Sequence, residues 1–63
     1  MATGKVKWFN DAKGFGFIAD NESGQDIFVH VTGLKQDIRE GDSVVYDVTQ
    51  GKKGLNAVNV RLA

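Results

Sequence analysis

The chain has 63 residues, enough for one domain, 1–63, and a domain this small buries only about 60% of the surface its unfolded chain exposes. It contains no cysteine, which excludes a disulfide framework and a thiolate metal site, and no apolar run long enough for a membrane span or a signal-peptide core, so a soluble, cytoplasmic protein is expected. Eight basic residues balance eight acidic ones, which argues against a strongly basic polyanion binder.

Thr3 to Asn10 reads as a first strand, with Lys5, Val6, Lys7 and Trp8 alternating polar and apolar. Strict alternation puts Trp8 with Val6 in the core and Phe9 on the Lys5/Lys7 side; a bulge would shift that register, and the sequence leaves both arrangements open. Asn10 to Gly14 is turn chemistry. Phe15 to Ala19 is a second strand, followed by a polar hairpin loop, Asp20 to Gln25. Asp26 to Val31 is a third strand. Thr32 to Asp42 is an irregular connection in which Leu34 and Ile38, four residues apart, can dock from one helical turn. Ser43 to Thr49 is a fourth strand, with Val44, Tyr46 and Val48 on one face. Gln50 to Gly54 is a hairpin turn, and Leu55 to Leu62 is a fifth strand with Val58, Val60 and Leu62 inward. Five short strands, regular turns and no proline point to an all-β, five-stranded antiparallel barrel, whose closure removes exposed sheet edges.

Two of these strands carry an unusual pattern. Phe15 and Phe17 share one face of the second strand, flanked by Gly14 and Gly16, which add no bulk around the rings. Phe28 and His30 share one face of the third, with Ile27, Val29 and Val31 on the other. If the strands pair, four rings form one patch while the aliphatic side chains point into a core. In a generic β domain the phenylalanines would be the buried set. A pattern that buries valines instead suggests that the rings bind something flat, and nucleobases are the obvious candidate. Rings two residues apart lie about 6.6–6.8 Å apart along a strand, against about 3.4 Å between stacked bases of a duplex strand. Only a stretched single strand can stack on both.

Charge is unevenly spread along the chain: +2 over residues 1–19, −5 over 20–47 and +3 over 48–63. Barrel closure would bring the two basic ends together; by itself the distribution favours a scattered, solvated surface.

Gly4-Lys5-Val6-Lys7-Trp8-Phe9-Asn10, Lys13-Gly14-Phe15-Gly16-Phe17-Ile18 and Asp26-Ile27-Phe28-Val29-His30, in this order, closely resemble the cold-shock domain across essentially the whole chain. The resemblance implies an OB-type barrel that binds single-stranded RNA or DNA, and a free-standing bacterial member of the family. It places Trp8 on the binding face. Phe15, Phe17, Phe28 and His30 match the family's stacking residues, Lys7, Lys13 and Lys53 its basic positions, and Asn10 and Asp26 positions where polar side chains touch base edges. The expected partners are therefore single-stranded RNA and DNA, bound by a monomer acting as an RNA chaperone without metal or other cofactor. Three departures stand out: Val31 replaces a usual aromatic, the connection after the third strand is short and lacks its usual aromatic, and Leu55 replaces a common proline. They imply a truncated stacking platform.

Enzymatic activity is not expected. The single histidine lies about 13 Å from Asp26 by strand rise, no metal-ligand cluster exists, and nothing resembles a phosphate-cradling loop. The competing reading is an SH3-type barrel whose aromatic groove binds proline-rich peptides. Such a groove needs no bordering lysines, and its affinity would be nearly indifferent to salt.

Overall fold

A computed structural model describes residues 1–51 and 54–63. The strands are β1 (Ala2–Asn10), β2 (Phe15–Asp20), β3 (Asp26–His30), β4 (Ser43–Gly51) and β5 (Gly54–Leu62). They close into a five-stranded barrel, as the sequence pattern predicts, and the order round it is β1-β2-β3-β5-β4. Four of the contacts are antiparallel and β3–β5 is parallel. An odd number of strands cannot alternate direction all the way round, so one contact of the closed ring must be parallel.

The core is Val6, Ile18, Ile27, Val29, Ile38, Val44, Tyr46, Ala57 and Val60. It is built mainly from β-branched residues, which suit a pleated, buried surface, and it includes no phenylalanine. Tyr46 is buried with its hydroxyl donating to the Asp20 carboxylate at 2.6 Å. Burial first, and then Asp20, push the Tyr46 pKa upward. The bond links the β4 wall to the end of β2, where Asp20 also accepts from the Ser23 backbone N–H and hydroxyl, both at 2.9 Å.

Several inward assignments read from alternation are corrected. Val48 and Leu62 are each 43% exposed. Beyond Tyr46, β4 pairs with β5 but no longer with β1, so Val48 has no opposite wall to cover it. Leu62 sits at the rim, on the last rung, opposite Val44. Ala57 replaces Val58 as a core residue, because the β4–β5 register shifts between Val45 and Asp47 and Asn59 takes a left-handed φ of 54°. The third strand stops at His30, and Val31–Gly33 forms one 3-10 turn. No helical turn joins Leu34 to Ile38, yet Ile38 is buried and Leu34 packs against the core.

Candidate nucleic-acid interface

The β1 bulge decides which aromatic faces outward. Val6 pairs with Ile18, but the next rung joins Trp8 to Phe17, leaving Lys7 as the extra residue. Val6 therefore points in, Lys7 and Trp8 both point out, and Phe9 returns to pack on the core. This overturns strict alternation, which buries Trp8 and exposes Phe9. Gly16 makes the arrangement possible, since it lies opposite Phe9 and a Cβ there would meet Phe9 Cα at 2.8 Å. Its missing side chain admits the β1 backbone, a different role from clearing space beside the rings.

Register then lines up two rows on the outer face. Trp8, Phe17 and Phe28 run across β1, β2 and β3; Asn10, Phe15 and His30 form the next outward row. Trp8 lies 5.5 Å from Phe17 and 5.7 Å from Phe15 by ring centroids, both strongly inclined. Phe28 lies 5.8 Å from Phe17, edge-on, and 5.9 Å from Phe15, close to parallel. Edge-to-face contact is the favoured geometry of aromatic pairs. It fixes the rings while leaving them half-exposed.

The polar residues border this cluster. Lys7 Nζ donates to Asp26 Oδ2 at 3.1 Å, an exposed ion pair that spans β2. Asn10 Oδ1 accepts the Lys13 backbone N–H at 3.1 Å, so half of the Asn10 amide is spent on the turn. Gly14, with φ 76°, completes that turn by donating to the Asn10 carbonyl at 2.7 Å, a backbone conformation that favours glycine. His30 Nδ1 accepts the Thr32 backbone N–H at 3.2 Å and lies 2.9 Å from the Thr32 hydroxyl, so the ring is held by the turn that follows it. Lys7, Trp8, Asn10, Lys13, Phe15, Phe17, Asp26, Phe28 and His30 thus gather on one side of the barrel, with Asp26 at one end of the rows and Lys13 at the other. Lys53 lies outside the described residues. Val31 is 46% exposed just beyond His30, so an aliphatic surface follows the rings.

One feature of this side escaped sequence reasoning. A cleft of about 280 Å³ opens between the Val31–Gly33 turn and β5, bordered by Phe28 and His30 on one side, by Asn56 and Asn59 on the other, and by Lys35. Lys35 lies in the irregular connection, where strand periodicity carries no information about facing. No group of three or more potential metal-ligating side chains occurs among the described residues, and no helix among them is long and apolar enough to cross a membrane.

Residues 2–63 match the family described as the 'Cold-shock' DNA-binding domain. The chain is 54% identical to the cold shock-like protein CspA of Stigmatella aurantiaca, over 97% of this chain and 96% of that protein. It is 48% identical to the cold shock protein CspC of Bacillus subtilis over the full length of both. A solved structure described as drosophila Unr CSD456 superimposes with a TM-score of 0.82 at 25% identity, over 98% of this chain and 26% of the other. The barrel, the ring-bearing face and these relatives agree: the chain belongs to the cold-shock domain family of nucleic-acid-binding, non-enzymatic proteins.

Proposed function

We propose that this domain binds single-stranded RNA and DNA by stacking bases on Trp8, Phe15, Phe17, Phe28 and His30. In the cytoplasm, as a monomer, it acts as an RNA chaperone that captures transiently melted strands and delays their re-pairing. The observation that carries the reading is the inversion of burial on β2 and β3. Ile18, Ile27 and Val29 are fully buried while the neighbouring phenylalanines stay half-exposed on the opposite face. Every base has a π-face, so sequence preference is modest, and each stack contributes about 1–3 kcal/mol. In this reading Lys7, Lys13 and Lys53, the last assigned by family resemblance alone, contact the backbone phosphates, and Asn10 and Asp26 touch base edges. Three phosphate contacts give a salt slope near −2, since each single-strand phosphate contributes about 0.7. With Val31 in place of an aromatic, the platform covers fewer nucleotides than one with a ring there.

The test is quenching of Trp8 fluorescence by a pyrimidine-rich single strand and by the same sequence as a duplex. Trp8 is the single tryptophan, so the signal has one origin. Saturable quenching by the single strand alone is expected. Binding of a proline-rich peptide with no salt dependence, and none of the oligonucleotide, would reverse the conclusion in favour of a peptide groove.

A further inference from the structure

We propose that Thr32 is a positioning residue for base stacking: without touching the base, it holds the His30 ring in one orientation and one neutral tautomer. The proposal rests on the stacking reading above. It begins from how the rings are held. Trp8, Phe15, Phe17 and Phe28 are linked by four ring contacts, and His30 takes part in none of the four. His30 is the exposed last residue of β3, opposite Phe15. Its ring is held from the other direction, where Nδ1 lies 3.2 Å from the Thr32 backbone nitrogen and 2.9 Å from the Thr32 hydroxyl. A backbone N–H can only donate, so Nδ1 is bare and accepts. The hydroxyl then donates to the same nitrogen, and the neutral ring carries its proton on Nε2.

The turn that carries Thr32 is itself fixed on both sides. The Val31 N–H donates to the Gly14 carbonyl at 2.8 Å, which ties the start of the turn to the β1–β2 connection. The Lys35 N–H donates to the Val60 carbonyl at 2.7 Å, which ties the following chain to β5. Between them Gly33 lies so close to β5 that an added Cβ would meet the Ala57 carbonyl oxygen at 2.9 Å. Thr32 is thus presented to His30 by anchored backbone. Its side chain is exposed and outside the core, so the hydroxyl does not serve burial. An exposed imidazole otherwise turns about its side-chain torsions and exchanges its proton between two nitrogens. Two donors on Nδ1 settle both before a ligand arrives, so less order is lost when a base stacks on the ring. Contact among neighbouring rings does this for the phenylalanines, and a hydrogen-bonded bracket does it for the histidine.

The experiment is a double-mutant cycle. Wild type, Thr32→Val, Thr32→Ser, His30→Phe and the protein carrying both Thr32→Val and His30→Phe are titrated with a thymidine heptamer, read by Trp8 fluorescence, with thermal melts to confirm that each is folded. Thr32→Val removes the hydroxyl and keeps the branched shape and the backbone N–H. It is expected to weaken binding about two- to tenfold, the range for one side chain ordered on binding. Thr32→Ser keeps the hydroxyl and should restore affinity to within about twofold of wild type. Phenylalanine at position 30 can stack but offers no Nδ1, so in that background Thr32→Val should have no effect. Nitrogen NMR of the single histidine, at about pH 8.5 where histidine is neutral, should show a bare Nδ1. Wild-type affinity for Thr32→Val would overturn the proposal. So would an equal loss in the His30→Phe background, which would mean that Thr32 acts on the fold or the ligand directly, or a proton found on Nδ1. Failure of the stacking reading looks different, because the wild-type protein then does not bind the heptamer at all.

Discussion

Val29 and Phe28 are neighbours on β3 with opposite roles, and substituting each in turn separates stability from binding. Val29 is fully buried. Val29→Ala removes two methyl-sized groups at about 0.8 kcal/mol each, and the cavity left behind raises the loss to about 2–3 kcal/mol. A domain of this length is stable by only about 3–9 kcal/mol, so the melting temperature should fall by about 10–20 °C. Phe28→Leu keeps most of the apolar volume but removes the π-face. It also removes the ring contacts to Phe15 and Phe17 at 5.9 and 5.8 Å, each contributing about 0.5–1.5 kcal/mol. One lost base stack of about 1–3 kcal/mol lowers single-strand affinity roughly five- to 150-fold. Both variants are assayed by thermal unfolding and by Trp8 fluorescence titration at a temperature where each is folded. Val29→Ala should bind like wild type and Phe28→Leu should not. If fully folded Val29→Ala loses as much affinity as Phe28→Leu, the division of β3 into a core face and a binding face is wrong.

Gly16→Ala brings a Cβ against the β1 backbone at Phe9 and should destabilise the barrel by about 1–3 kcal/mol through overpacking; a melting temperature within a degree of wild type would contradict the close approach. The Asp20 carboxyl is held below the ordinary carboxylate range by the Tyr46 hydroxyl first and then by Ser23. Because its folded-state pKa lies below the unfolded value of about 3.9, the folded protein gains stability above about pH 4 and loses it as pH falls through the folded pKa. Asp20→Asn should therefore flatten the acid limb of stability, and an unaltered limb would show that other carboxylates control it. Asp26→Asn removes the 3.1 Å partner of Lys7 and a carboxylate beside the strand's path while keeping a polar side chain there, so affinity at low salt should rise with the salt slope still near −2, because Lys7 already counts among the phosphate contacts. Unchanged or weaker low-salt affinity would show that Asp26 does not compete with phosphate for Lys7.

Much of the barrel is legible because period-2 patterning survives wherever a strand has neighbours on both sides. Ile18, Ile27, Val29 and Val44 all face as alternation says. The errors sit where that condition fails. At Lys7 an extra residue breaks the register, so the orientation of Trp8 depends on the bulge, which alternation cannot locate. At Val48 the side chain points inward, but past the region where β1 closes the wall. At Asn59 a left-handed residue resets the inward position from Val58 to Ala57. The ring face was readable because two strands repeat the same inversion. Lys35 and the cleft were not, because they arise from two chains diverging and rejoining, a tertiary event with no local signature.

A marginal domain that leaves its rings outside forgoes their burial, and the geometry shows how the loss is offset. The rings cover one another: four centroid distances between 5.5 and 5.9 Å link Trp8, Phe15, Phe17 and Phe28. Part of each apolar surface is thereby removed from water without an overlying layer. Those same contacts restrict ring rotation before any ligand arrives, so less side-chain entropy is lost on binding. Core and platform then occupy opposite faces of the same strands, with β-branched residues closing the barrel and aromatic residues facing the solvent. Net neutrality is compatible with this design because stacking needs no charge. Among the described residues an ion pair stands at the border of the rings, where Asp26 restrains Lys7. The face is thus set by ring geometry, with charge placed beside the rings and not between them.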